Sequence, residues 1–129
     1  LPTMGAGWCP PGMLGIGIGG TAEKAAVLAK ESLMDPVDIH ELLERGAQTA
    51  EEKLRLEIFE RANKLGIGAQ GLGGLTTVVD VKIKSAPTHA ASKPVVMIQI
   101  VLQHVTYISP WMVPARQILK RLSWKTGQK

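Results

Sequence analysis

The chain predicts an α/β architecture, helices packed with a short sheet, and three observations carry that expectation. Thr49-Ala50-Glu51-Glu52 sets a capping hydroxyl three positions before a glutamate. Behind it Leu54, Ile58, Arg61 and Leu65 follow helical spacing, and Ala62 widens the stripe. Thr21 precedes a run of strong helix formers, Ala22 to Glu31, which Pro36 prevents from continuing. Between Leu75 and Lys84, Val79, Val81 and Ile83 alternate with Asp80, Lys82 and Lys84, the period of a strand with one face buried.

In chain order, the first distinctive stretch is Gly7 to Gly20. It holds the only cysteine, Cys9, two adjacent prolines and six of the fourteen glycines. Pro10 and Pro11 stiffen the backbone after Cys9 and remove two N–H donors. The glycines allow close backbone approaches that a Cβ would obstruct. A sulfur fixed in this way suits a soft metal or an iron–sulfur cluster; a buried cysteine beside a Gly-rich turn is the alternative. Gly15-x-Gly17-x-x-Gly20 matches the dinucleotide-binding pattern, but Pro10, Pro11 and Gly12 stand where its strand should be.

A second helix is expected to start near Asp35, with Pro36 at its first position, and to end at Gly46. Its His40-Glu41-Leu42-Leu43-Glu44 lacks the second histidine of a zinc motif, so the zinc reading fails. Asp38, Glu41 and Glu44 read as a solvated face. The Thr49 helix should end at Gly66. Gly66 to Gly74 contains another G-x-G-x-x-G, with a helix before it and a strand after it, the reverse of a nucleotide fingerprint. Five glycines in those nine residues still imply a tight loop that something approaches closely. After the strand, Ser85 to Pro94 is a loop of small residues carrying His89, a candidate functional histidine or a solvated one. Pro94 to Ile98 opens a further strand.

Length 129 bounds the chain to one domain with a modest core. No run of 18 apolar residues exists to span a bilayer, and no basic segment precedes a short apolar one as in a secretory signal. One cysteine excludes an internal disulfide and suits a reducing, cytoplasmic compartment. The net charge of +4 hides an asymmetry. Residues 1–98 carry ten Lys/Arg and eleven Asp/Glu, whereas 99–129 carry five Lys/Arg, no acid, two of three tryptophans and the only tyrosine. Such a tail could be a surface that contacts acidic partners, which would make the chain a small basic non-catalytic binding protein. Neither a nucleic acid nor a membrane is the expected partner.

The string GAGWCPPGMLGIGIGGTAEKA, followed by LAKESLMDP, DIHELLERG, LGIGAQGLGG and PTHAASKP, closely resembles class I fumarate hydratase, the iron–sulfur fumarase. It is similar, more distantly, to the α subunit of L-tartrate dehydratase. The resemblance runs from Leu1 to about Ile98 and covers an internal piece of the family's chain. It implies that residues 1–98 are part of an N-terminal Fe–S hydro-lyase catalytic domain. It also implies reversible hydration of fumarate to L-malate, a 4Fe–4S cluster held by three cysteines with one iron open, and a homodimer. Cys9 aligns with the second of the three ligands, and the third should fall where this chain has Val101. His89 is similar in position to a histidine that contacts the dicarboxylate. The Gly66–Gly74 neighbourhood faces the active site in that family. Most substrate-binding arginines and the acid/base residue belong to a C-terminal domain beyond this sequence, so the chain by itself is expected to be inactive and to hold no stable cluster.

The tail 99–129 departs from the family's pattern at once, and a shift of one base accounts for it. Gln99-Ile100-Val101-Leu102 then yields codons that can encode Pro-Asn-Cys-Ala, which the family carries there. Trp111-Met112-Val113 must be TGG-ATG-GTN, and the shifted frame forces Asp-Gly, again as in the family. The tail is therefore expected to be frameshift-derived and poorly packed, although Ile100, Val101 and Leu102 are apolar enough to extend a strand by chance.

Overall fold

The structure, a computed structural model, describes residues 1–102. Its elements are β1 (Gly12–Ile18), α1 (Ala22–Ser32), α2 (Ile39–Arg45), α3 (Ala50–Lys64), a short 3-10 turn (Ala69–Gly71), β2 (Val78–Ser85) and β3 (Val96–Leu102). The expectation for 103–129 lies outside the described residues.

The three expected helices form on side-chain caps. Thr21 Oγ1 accepts from the Lys24 N–H, and the Thr49/Glu52 capping box is complete. The start of α2 corrects the sequence reading. Asp35 folds back on the Val37 N–H at 2.9 Å, an Asx turn that keeps Pro36 outside the helix. Asp38 is the cap instead, accepting from the Glu41 N–H at 2.9 Å. The α3 stripe is also corrected. Leu54, Ile58 and Ala62 meet the core, but Arg61 is exposed and pairs with Glu57 at 2.9 Å, and Leu65 is exposed. The buried cation of this helix is Arg55.

The strand β1 is absent from the sequence reading, because glycine weakens a strand pattern and Pro10–Gly12 reads as a breaker. It is nonetheless the centre of a three-stranded sheet ordered β2-β1-β3. It pairs in parallel with β2, Leu14 opposite Val81 and Ile16 opposite Ile83. It pairs antiparallel with β3, Ile18 opposite Val96 and Gly12 opposite Leu102. Leu14 and Ile16 face one layer, with Val81, Ile83 and Ala62 and, packed against them, Leu54, Ile58 and Phe59 of α3. Gly15 and Gly17 face the other, where α1 lies directly on the strand. A Cβ at Gly17 would stand 2.0 Å from the Ala25 carbonyl oxygen, and one at Gly15 2.3 Å from that of Ala29. The glycines are thus what permits helix-on-sheet contact at backbone distance.

The strand β2 has both faces covered rather than one. Asp80 and Lys82 are 5% and 3% exposed and share a buried network with Arg55. Lys82 Nζ donates to the Val37 and Asp35 carbonyls at 2.6 and 2.9 Å and lies 3.1 Å from Asp80. Arg55 Nε donates to the Val81 carbonyl at 2.6 Å, and its guanidinium also reaches Val37 O and Asp80. Buried charges are tolerated when paired and hydrogen-bonded. Here they tie the α1–α2 connection and α3 to β2, and Arg55 satisfies a main-chain carbonyl of that strand. Removal of one partner strands the others, so Asp80→Asn is expected to cost about 3–5 kcal/mol in urea unfolding.

The junction of α2 and α3 carries a pH-dependent contact. The Arg45 guanidinium, then the Gln48 and Thr49 N–H groups, hold the Glu52 carboxyl down at about 2 from an ordinary 4.5. A folded value below the unfolded one stabilises the fold above the unfolded value, and this is lost as pH falls from about 4.5 towards 2. Glu52→Gln is therefore expected to lower the urea midpoint at neutral pH, and the difference from the parent should close as the pH approaches 2. A difference that is constant with pH would assign the effect to the cap geometry alone.

The expected strand after Pro94 is present as β3 and extends to Leu102. Ile100 packs against the core, while Val96, Met97 and Ile98 are exposed. Among the described residues, no helix is long and apolar enough to cross a membrane.

Candidate functional site

Cys9 sits on a turn immediately before β1. Its N–H donates to the Ala6 carbonyl at 2.9 Å, and the Gly7 N–H donates to that of Met4 at 2.8 Å. Its φ of 54° lies in the left-handed region that side chains bearing a Cβ resist. The residues on either side are anchored. Trp8 is buried, with its ring against Gly12, where a Cβ would stand 3.0 Å from Cζ3; Pro10 is buried as well. The thiol between them is free and exposed, which overturns the reading of Cys9 as a buried packing residue. Trp8 Nε1 is buried and has no hydrogen-bond partner among the described residues.

The Gly66–Gly74 loop packs on this turn. The Gln70 N–H donates to the Pro10 carbonyl at 2.8 Å, and Gln70 has φ 56°, the other non-glycine residue in the left-handed region among the described residues. A Cβ on Gly71 would come within 2.6 Å of Ala6 Cβ. The loop is closed on itself by Gly73 N–H to Ile67 O at 2.8 Å and Gly74 N–H to Gly66 O at 3.3 Å. It is tied to β2 through Gly68 N–H to Thr77 Oγ1 at 3.3 Å, and Asn63 Oδ1 receives the Thr77 and Val78 N–H groups. The sequence singled out the glycines of this loop but not Gln70; no local signal marks a glutamine in that conformation.

The antiparallel register brings the end of β3 to the same end of the sheet. Val101 stands opposite Met13, four residues after Cys9. His89 lies elsewhere. The 86–95 loop joins β2 to β3 at the far end of β1, where the Gly19 N–H donates to Val95 O at 2.8 Å and the Gly20 N–H to Thr88 Oγ1 at 3.1 Å. The seven residues of β1 therefore separate Cys9 from the His89 loop, a run of roughly 20 Å at about 3.3 Å per residue. His89 is exposed, and its Nδ1 accepts the Ala91 N–H at 3.2 Å. With Nδ1 accepting, Nε2 is the ring nitrogen left to donate.

As a donor set, this end of the sheet offers one accessible soft sulfur. That fits one ligand position of an iron–sulfur cluster. Among the described residues, no three His, Cys, Asp or Glu side chains gather to complete a metal site.

A family model described as Fumarate hydratase (Fumerase) matches residues 1–100. A Methanocaldococcus jannaschii protein provisionally named L(+)-tartrate dehydratase subunit alpha is 47% identical over 87 residues, 67% of this chain and 29% of its own length. The L(+)-tartrate dehydratase subunit alpha of Escherichia coli K12 is 38% identical over 92 residues, 71% of this chain and 29% of its own. The chain thus spans under a third of the curated relatives it matches.

Proposed function

The chain belongs to the fumarate hydratase family, and from that premise we propose that it is a piece of a 4Fe–4S hydro-lyase that hydrates fumarate reversibly to L-malate. The observation that carries the proposal is the exposed Cys9 thiol, held in a left-handed turn within the family's matching region. Cys9 would hold one iron as its thiolate. When bound, such a cluster supplies a Lewis acid at its open iron for the substrate hydroxyl. The third ligand belongs at the position of Val101, and its place at the Cys9 end of the sheet supports that assignment. The names of the relatives favour a second reading of the substrate, L(+)-tartrate. Assay of the full-length, in-frame protein with each substrate separates the two: malate formation from fumarate is expected, and turnover of tartrate alone would replace the first reading with the second.

Residues 99–129 are proposed to be read one base out of frame. The family match ends at residue 100, two residues past the Ile98 codon. A DNA read across the Ile98 codon should show the Pro-Asn-Cys frame open one base away, and a closed frame would end this account. With one thiolate, the 129-residue chain should form neither a stoichiometric cluster on anaerobic reconstitution nor malate. The rival reading, a basic binding protein, rests on the tail, whose residues 103–129 lie outside the described ones. In the full-length protein, a homodimer is proposed from the family resemblance.

His89 is proposed to donate from Nε2 to a substrate carboxylate, a charge-assisted bond worth about 1.5–3 kcal/mol. His89→Ala in the full-length protein should lower kcat/KM by roughly ten- to a hundredfold and leave the cluster absorbance unchanged. Because the histidine stands a strand's length from Cys9, an unaltered kcat/KM would remove it from the site and leave the Cys9 assignment in place.

A further inference from the structure

We propose that the Gly66–Gly74 loop is a backbone latch that sets the orientation of the Cys9 thiol, with Gln70 and Gly71 as its positioning residues. Its functional meaning rests on Cys9 as a cluster ligand; its geometry does not. The backbone of Cys9 is in a conformation that an L residue leaves unless its neighbours hold it there. Three contacts do so. Ahead of the thiol, the Ala6 carbonyl receives the Cys9 N–H, and Gly71 presses on Ala6 so closely that no side chain fits between them. Directly before it, Trp8 is locked in the core. Directly after it, the Pro10 carbonyl receives the Gln70 N–H.

Two of these contacts come from one loop, and that loop is rigid for reasons of its own. Gly68 admits no Cβ, since one would lie 2.3 Å from the Gly73 carbonyl group. Its N–H is anchored on Thr77 Oγ1, and Thr77 is fully buried. The path from α3 and β2 to the thiol is therefore a chain of backbone contacts and hydrogen bonds. A cluster ligand gains from this arrangement, because a preset thiolate need not be reorganised when iron arrives.

The test reads the backbone of Cys9 directly, by NMR of the isotopically labelled 129-residue chain without iron. A strong intraresidue N–H to Hα Overhauser effect at Cys9, diagnostic of positive φ, is expected together with slow exchange of the Gln70 amide. Gly71→Ala should abolish the Cys9 signal while the amides of α3 keep their shifts. Ala6→Gly combined with Gly71→Ala removes the clashing atom and should restore most of the signal. Thr77→Val, which deletes the hydroxyl anchoring Gly68, should weaken both readouts and provides the answer if Gly71→Ala fails to fold. A weak Cys9 signal in the parent chain, or an unchanged one in either folded variant, overturns the latch. No iron enters this measurement, so its failure leaves the cluster assignment standing, and loss of the cluster assignment leaves the latch standing.

Discussion

Cys9→Ala in the full-length, in-frame enzyme should give a colourless and inactive protein. On the proposed assignment one cluster iron loses its only protein sulfur, and no His, Cys, Asp or Glu group among the described residues is assembled to replace it. A 4Fe–4S cluster needs a ligand at each protein-bound iron, so visible charge-transfer absorbance after anaerobic reconstitution should disappear. Activity should go with it, because the Lewis acid is worth several kcal/mol of barrier, a loss of about a thousandfold or more. The fold should survive, since the residue is exposed. His89→Ala is the contrasting variant, coloured and impaired. If His89→Ala bleaches the protein while Cys9→Ala keeps its colour, the roles are reversed and the alignment to the family is wrong at both positions.

Gly17→Ala should separate α1 from the sheet. The added Cβ would stand 2.0 Å from the Ala25 carbonyl oxygen and 2.6 Å from the Ala29 nitrogen, both backbone atoms of a helix that cannot move one atom without moving several. Overpacking of flexible side chains costs about 1–3 kcal/mol, and a rigid backbone clash should exceed that. Against a domain stability of about 5–15 kcal/mol, this is enough to unfold so small a piece or to release α1. Gly46→Ala is the control. Unlike Gly17, which lies in a strand, Gly46 has a positive φ, 78°, and nothing lies within 4 Å of its Cβ, so its cost should be backbone strain alone, about 1–3 kcal/mol. Urea midpoints of the two variants decide the matter. If Gly17→Ala costs no more than Gly46→Ala, close helix–sheet contact is not what requires a glycine at position 17.

What was legible beforehand was local. A helix cap is written in four consecutive residues, so Thr21 and the Thr49–Glu52 box placed α1 and α3 correctly. Asp35 and Asp38 compete for the start of α2 over the same short range, and which of them caps depends on the Asx turn that one of them makes. The alternation around Val81 and Ile83 placed β2 but misjudged its polar face. Whether Asp80 and Lys82 meet water depends on Arg55 and on the α1–α2 connection, both remote in sequence. The family, too, was legible, because motif strings are compared residue by residue, and it named Cys9 before any geometry did.

Only tertiary structure could decide the rest. Gly15 and Gly17 look like breakers in isolation; they form the central strand because α1 must lie against them. The exposure of Cys9 is set by Trp8 and Pro10 being drawn into the core on either side, which no spacing announces. The direction of β2 relative to β1 puts His89 at one end of the sheet and Cys9 at the other, although both belong to one expected site. That Gln70 and Gly71 hold the Cys9 turn follows from a loop more than fifty residues away closing on it, and hydrogen bonds between remote backbone groups leave no trace in the order of side chains.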